Sequence, residues 1–366
     1  MKKGNYYSLD KIKKHNAEYN FIIGERSNGK TYSVKMEMLK KHASTDCHDQ
    51  SALIRRWDED FKGARGNNMF SDIVENGELQ KLFGDKYDGI TYFRHAWYLT
   101  KTDDNGKAVK ADEPFCYAFA LTAMEHDKST SYPKITTVLF DEVLTRKQYV
   151  PDEFILFMNC LSTIIRERDN VIIYMLGNTV SHFSPYYSEM GLKHIRNMKQ
   201  GDIDLYRYGE NGCKVAVEYI GESKFLKKSN KYFAFDNPKL NMIKTGAYEL
   251  DIHPHLVTKY KHSEIVFIYF IKYEEFLLQC EVVHTGNEVF TFIHEKTTEL
   301  KEPDNDLIFT TDITSKPNMR VGIMKPRDKI GEKVAYFYKQ NLVFYQNNEI
   351  GEIVANYIKD TDGVLI

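Results

Sequence analysis

The sequence predicts an α/β protein with a mostly parallel sheet, followed by a small connecting module and an α+β C-terminal domain. Three observations carry this reading. Residues 24–31 read Gly-Glu-Arg-Ser-Asn-Gly-Lys-Thr, a complete G-x-x-x-x-G-K-[ST] phosphate-binding loop. β-type apolar runs and helical periodicities alternate through the first half of the chain, the order expected of parallel strands joined by helical crossovers. Beyond about residue 247 the pattern turns to β-rich runs with a helical end.

The first element is the strand Tyr19–Ile23, whose apolar Phe21-Ile22-Ile23 leads into the loop. Gly24 and Gly29 leave room for bare backbone N–H groups to approach a phosphate, where a Cβ would collide. Lys30 brings a point charge to the β- and γ-phosphates, and Thr31 supplies a hydroxyl for Mg²⁺. A helix over Lys30–Lys41 then turns its N-terminal dipole towards the anion. The loop as a whole, including Gly24, Arg26, Asn28, Gly29, Lys30 and Thr31, is the predicted cradle for ATP.

Strands follow at Ser51–Arg55 and Ile135–Phe140, a helix at Asp152–Arg168 and a strand at Val171–Leu176. Between them, Thr100–Glu113 with Asp103-Asp104-Asn105-Gly106 reads as the tip of a hairpin whose arms are Thr91–Leu99 and Pro114–Leu121. The run Ile135–Phe140 ends in Asp141-Glu142, the form of a Walker B strand. Asp141 is the expected metal-binding carboxylate. Glu142 is expected on the opposite side of the chain, placed to activate a water.

In the helix Asp152–Arg168, Phe154, Phe157, Met158, Leu161, Ile164 and Ile165 form one apolar stripe. Arg168 lies on the stripe side and Arg166 points away. Cations at a helix C-terminus satisfy the last carbonyls and the dipole. The alternative for Arg166 is an arginine finger that reaches a neighbouring subunit's nucleotide. The strand Val171–Leu176 leads to Asn178, either a γ-phosphate sensor or a cap, and Ser184-Pro185 marks a helix start.

The chain is 366 residues long, 42% hydrophobic and 28% charged, with a formal charge of −2. This is a soluble globular balance, and any nucleic-acid contact has to come from local patches. The longest apolar run, Ile265–Ile271, is too short to cross a bilayer, and residues 1–20 carry no apolar signal core, so a cytosolic protein without membrane contact is expected. The five cysteines form no C-x-x-C pair and read as free thiols.

Further along, residues 201–245 read as a linker module, and 246–366 as the C-terminal domain with strands Glu264–Phe270, Phe276–Val283 and Glu288–His294 and a helical final stretch Lys329–Asp360.

Together these features resemble the DNA-packaging (encapsidation) ATPases of small short-tailed bacteriophages, an ASCE-type P-loop NTPase family. The resemblance rests on Asn20-Phe21-Ile22-Ile23-Gly24 with Arg26, Arg55-Arg56, Lys128-Ser129 with Tyr132-Pro133, and Phe140-Asp141-Glu142. It continues through Val150-Pro151 with Glu153, Arg166 with Arg168, Asn178 with Val180-Ser181, and Pro185-Tyr186. It covers roughly residues 5–195 and is faint afterwards.

The resemblance implies an ATPase domain over 1–200 that works as a homopentameric ring, with Mg²⁺ and ATP, to drive double-stranded DNA into a prohead. It places the protein in the host cytoplasm and transiently at the portal vertex. Lys128 and Arg166 resemble residues acting in trans, and Asn178 resembles the element coupling hydrolysis to motion. The capsid portal is implied as a partner, and for some members a packaging RNA.

The resemblance also implies an RNase H-like C-terminal domain. Its candidate central strand carries only Glu264, short of a two-metal nuclease cluster, and sequence after Gly322 reads as an extension. Tyr6, Tyr7 or Tyr19 is either an adenine contact or a core aromatic. Lys62, Arg65, Arg146-Lys147 and Lys227-Lys228-Lys231 are either DNA contacts or, as is commoner for such charges, solvated surface residues.

The rival readings are another ring-forming P-loop ATPase or helicase on nucleic acid, and a nucleotide-gated assembly protein. The first predicts strand unwinding. The second predicts little loss when Glu142 becomes Gln.

Overall fold

The computed structural model describes residues 7–26, 28–126, 130–145, 149–179, 183–210, 212–220, 253–256, 259–286, 288–300, 304–312 and 316–363. They fall into two compact units, Met1–Glu249 and Leu250–Ile366.

The first unit is built on a ten-stranded sheet. Its strands are β1 (Tyr19–Gly24), β2 (Gln50–Arg55), β3 (Gly89–Phe93), β4 (Ala96–Thr102), β5 (Ala108–Lys110), β6 (Cys116–Ala120), β7 (Ile135–Asp141), β8 (Ile172–Asn178), β9 (Ile203–Tyr208) and β10 (Cys213–Tyr219). The order is β3-β4-β6-β2-β7-β8-β1-β10-β9, with β5 paired to β4. From β6 to β10 all neighbours run parallel. Those strands are buried on both faces and read as continuous apolar runs such as Phe21-Ile22-Ile23 and Val138-Leu139-Phe140, as parallel sheets require.

Three sequence expectations change here. Residues 91–99 are not one hairpin arm: the chain reverses at Arg94-His95, both at positive φ, to form the antiparallel pair β3–β4. The polar turn at 103–107 joins β4 to the short β5, while β4 meets β6 only at Ala96–Tyr117 and Trp97–Cys116. Residues 203–208 and 213–219, assigned above to the linker, form β9 and β10, and β10 pairs with β1 from Tyr19 to Ile23. The rest of the expected linker, residues 221–245, lies outside the described residues.

The helix Glu153–Ile165 buries Glu153, Phe157, Cys160, Leu161 and Ile164, while Met158 and Ile155 are exposed. Met158 therefore leaves the predicted stripe, and a carboxylate takes a place in it.

The second unit holds a six-stranded sheet. Here β11 (Ile265–Tyr273), β12 (Phe276–Thr285) and β13 (Glu288–Glu295) form an antiparallel meander. Strand β14 (Ile308–Thr310) runs parallel to β11, β15 (Met319–Arg320) to β14, and β16 (Val343–Tyr345) to β13. The final stretch is two helices, Lys329–Lys339 and Asn348–Asp362, separated by β16. Asp328 and Asn347 cap them, accepting from Gly331 N at 2.7 Å and Ile350 N at 2.9 Å. Because Ile353, Tyr357 and Ile358 are buried, the residues after Gly322 belong to this unit's core and are no appendage.

Candidate functional site

Four neighbouring strands end at one edge of the first sheet, and each delivers a residue there. In spatial order they are Gly24 from β1, Asn178 from β8, Asp141 from β7 and Arg55 from β2. Gly24 lies in register with Asn178, and Asp141 lies opposite Leu176, two residues before Asn178 on β8. This is the carboxyl edge of the parallel strands, where open α/β sheets bind ligands.

The glycines behave as the loop demands. Gly29 sits at φ 89°, the left-handed conformation that glycine tolerates, and caps the helix Lys30–Ser44. A Cβ on Gly24 would stand 2.9 Å from Asn28 Nδ2 and 3.0 Å from Ile220 Cβ. Asn28 is buried within the loop: its Oδ1 accepts from Lys30 N at 3.2 Å, while its Nδ2 has no hydrogen-bond partner. Arg26 is exposed, and Ser27 lies outside the described residues.

The Lys30 ammonium is buried and donates to Asn178 Oδ1 at 2.7 Å, to the Glu25 carbonyl at 2.9 Å and to the Gly24 carbonyl at 3.4 Å. Burial pushes its pKa down to about 8, against the attraction of Asp141 and Glu25. Thr31 Oγ1 donates to Asp141 Oδ1 at 3.1 Å, so the hydroxyl and carboxylate predicted to share a metal are hydrogen-bonded to each other.

Glu142 departs from expectation. Strand β7 ends at Asp141, and Glu142 adopts φ 62°, so strand alternation stops applying to it. Both acids meet one guanidinium: Arg55 Nη2 donates to Asp141 Oδ2 at 2.8 Å, and Arg55 Nη1 stands in an ion pair 2.8 Å from Glu142 Oε2. The side chains of Arg55 and Asp141 are 13% and 7% exposed, that of Glu142 62%. Arg55 entered the sequence reading only through the resemblance, with no role. The signal was there in a cation at the end of a strand predicted to lie in the same sheet.

The helix ends at Ile165 rather than Arg168, and Arg166 turns out of it at φ 51°, so helical periodicity does not set where the two arginines point, although they do separate. Arg168 donates to the carbonyls of Pro133, Ile135, Tyr132, Ile164 and Ile165, which ties the helix end to the start of β7. Arg166 is exposed and donates to the Thr130 carbonyl at 2.9 Å. Ser184 caps the helix Pro185–Glu189 by accepting from Tyr186 N at 3.3 Å.

Of the candidate adenine contacts, Tyr7 lies on the loop: its N donates to the Asn28 carbonyl at 3.0 Å and its hydroxyl to Glu218 at 2.6 Å. Tyr19 begins β1, at the opposite end from Gly24, and Tyr6 lies outside the described residues. So do Lys128, Val180-Ser181, Arg146-Lys147 and Lys227-Lys228-Lys231. Lys62 pairs with Asp58 at 2.9 Å and Glu59 at 3.3 Å, and Arg65 donates to the Glu59 carbonyl at 3.1 Å.

Comparison with known proteins supplies the family. The podovirus DNA encapsidation protein (Gp16) family matches residues 1–361. The chain belongs to that family. Among relatives, the DNA packaging protein of Bacillus phage B103 is 28% identical over 246 residues, 59% of this chain and 69% of that protein. The DNA packaging protein of Bacillus phage phi29 is 27% identical over 190 residues, 51% of this chain and 50% of that protein. The alignment thus spans about half the length of the phi29 protein.

Of solved structures, a chain of the bacteriophage Phi-29 viral genome packaging motor assembly superposes with a TM-score of 0.59 at 19% identity, covering 97% of this chain and 99% of its own. A chain of the Phi-28 gp11 DNA packaging motor gives 0.55 at 17% identity, with 97% and 98% covered. At these identities the structures speak for the fold alone. The encapsidation-protein match reaches well past residue 195, where the resemblance seen in the sequence faded, and includes the residues after Gly322.

Proposed function

We propose that this encapsidation protein is an ATP-hydrolysing motor subunit that drives double-stranded DNA into a capsid. The observation that carries the proposal is the meeting, at adjacent strand ends, of Lys30 with Asn178 and of Thr31 with Asp141. A phosphate loop by itself binds nucleotide. A loop whose Lys and Thr each face a polar group on the next strands can also sense and spend it.

The residues fit a magnesium–nucleotide complex. Thr31 Oγ1 and the Asp141 carboxylate form a hard oxygen donor set, and the orphaned Asn28 Nδ2 lies buried in the loop that would wrap the phosphates. Thr31 and Asp141 would hold Mg²⁺, which when bound supplies divalent charge against the phosphate oxygens. Lys30 exchanges its carbonyl and amide partners for phosphate oxygens and carries its positive charge there. Arg55 lets go of Asp141 and Glu142, freeing Glu142 to orient water and take its proton. Asn178, released by Lys30, reports the change along β8.

Arg166, exposed and held by a single backbone carbonyl, is free to reach a neighbouring copy's nucleotide, with Lys128 as a second residue acting in trans. Ile155 and Met158, exposed on the helix that ends at Arg166, suit burial against that neighbour. A homopentameric ring at the portal vertex, working from the host cytoplasm, is the assembly this predicts.

The fold is read as an ASCE P-loop NTPase domain followed by an RNase H-like domain. The β11–β13 meander followed by parallel β14 and β15 supports the second part. Among the described residues no group of three or more His, Cys, Asp or Glu is placed to hold a metal, and none of the helices is long and apolar enough to cross a membrane.

The test is steady-state ATP hydrolysis with and without long duplex DNA, alongside particle mass. Stimulation by duplex DNA is expected, and strand unwinding without such stimulation would favour a helicase. No hydrolysis in the presence of DNA and portal-bearing capsids would end the motor reading.

A further inference from the structure

Arg56 stands directly after β2, beside Arg55, and turns to the other side of the sheet. Its guanidinium is 7% exposed and faces the Glu153 carboxylate, whose side chain is 0% exposed. Two bonds join them, Nε to Oε2 at 2.6 Å and Nη2 to Oε1 at 2.8 Å, the fork geometry that fixes a guanidinium in plane. Glu153 accepts two more bonds, from Tyr186 Oη and from Val150 N, each at 2.8 Å.

What Arg56 does with its remaining N–H groups is specific. Nη1 donates to the Glu142 carbonyl at 3.3 Å and Nη2 to the Val143 carbonyl at 3.0 Å. These are the two peptides at which β7 gives way to the loop, and Glu142 there holds φ 62°, a conformation unfavourable for a side chain larger than glycine. A strained backbone persists only where its surroundings hold it. The Tyr149 ring, 5.1 Å from Arg56 Cζ, covers the guanidinium.

Burying an ion pair is an expensive way to gain stability, since well-packed apolar residues of similar volume commonly do as well or better. The geometry points to a positioning role. We propose that Arg56, aligned by Glu153, fixes the backbone at Glu142 and Val143 and thereby sets where the catalytic carboxylate stands. Arg56 acts through Glu142 and touches no nucleotide. Through Tyr186, in the helix that follows β8, the same pair ties the Glu142 loop to the segment beyond Asn178.

This proposal rests on the ATPase reading, and its test separates the two. The paired substitution Arg56→Met with Glu153→Leu removes both charges and leaves neither orphaned. Expected are a melting temperature lowered only to the extent that the Tyr186 hydroxyl and Val150 N lose their acceptor, affinity for a magnesium-bound non-hydrolysable ATP analogue within about threefold of wild type, and kcat lower by about 100-fold at constant KM, the scale of a 1 Å misplacement. Arg56→Lys, which keeps the charge but cannot fork, should lower kcat by about tenfold, again at constant KM. It decides the matter if the paired variant fails to fold.

Wild-type kcat in a folded variant, or affinity and kcat falling together with melting temperature, would overturn the positioning role while leaving the ATPase standing. Absence of hydrolysis by the wild type would remove both.

Discussion

Arg55 offers the sharpest perturbation, because its guanidinium occupies the carboxylate proposed to hold Mg²⁺. In Arg55→Ala the Asp141 carboxylate, 7% exposed, loses the 2.8 Å charge partner on Oδ2 and keeps Thr31 Oγ1 and Glu142 N on Oδ1. Removing one member of a buried pair costs about 3–5 kcal/mol. The Glu142 half adds little because that side chain is 62% exposed. The lower figure, about 3 kcal/mol, therefore applies, and in a unit of this size it corresponds to a melting temperature lower by about 6–12 °C without metal.

The same free energy reappears with opposite sign on binding. Wild type has to give up the Arg55 contact before Asp141 can take a metal, and the variant does not. Magnesium–nucleotide should accordingly bind the variant up to about 100-fold more tightly, and saturating ligand should erase most of the melting deficit. Differential scanning fluorimetry in EDTA and in magnesium with a non-hydrolysable analogue, paired with titration calorimetry, measures both sides. An equal melting deficit with and without ligand, at unchanged affinity, would refute the competition.

Arg166→Ala is expected to bind the ATP analogue with wild-type affinity and to lose hydrolysis, with partial recovery on mixing with Glu142→Gln subunits; no recovery at any ratio would assign Arg166 to its own subunit's chemistry. The Lys30 pKa, lowered from 10.5 to about 8, gives a pH test. Above pH 8 the ligand-free lysine is largely neutral, so analogue affinity should fall by up to about tenfold per pH unit, with proton uptake on binding visible as a buffer-dependent enthalpy. Between pH 8 and 10.5 the folded lysine binds fewer protons than the unfolded one, so this group alone makes stability rise with pH across that window. Glu281 in the second unit has its pKa held down to about 2 by hydrogen bonds from His294, Tyr260 and Gln279. Its contribution is complete above the ordinary 4.5 and is lost as pH falls towards 2, so acid unfolding of His294→Ala should begin at higher pH than in wild type, as followed by tyrosine fluorescence.

The sequence exposes what is local and hides what depends on register. The phosphate loop was legible because its requirements fall within eight consecutive residues, and β7 because a buried parallel strand must be apolar until it reaches its acids. The reversal at Arg94-His95 was not, since a two-residue turn with both φ positive ordinarily announces itself as Asn-Gly. Strand β9 at the sheet edge carries exposed and half-buried polar residues, as an edge allows, and so resembles a connector, and β10 opens with the half-buried Cys213 and Lys214. Met158 was misplaced because periodicity identifies a face without fixing its width.

The adjacent arginines show why the rest of the site could not be read locally. Successive residues at a strand end face opposite sides, so Arg55 meets Asp141 and Glu142 while Arg56 meets Glu153, 97 residues away. Neither pairing is implied by composition or period. Once β2 is known to lie beside β7, that neighbour relation brings Arg55 to the side chains of Asp141 and Glu142 and Arg56 to the backbone carbonyls of Glu142 and Val143. A charge that can be displaced, Arg55 on the Glu142 carboxylate, and a brace that cannot, Arg56 on the Glu142 carbonyl, then act on one residue, which is the arrangement the proposed triggered hydrolysis needs: Glu142 can change partner without changing place.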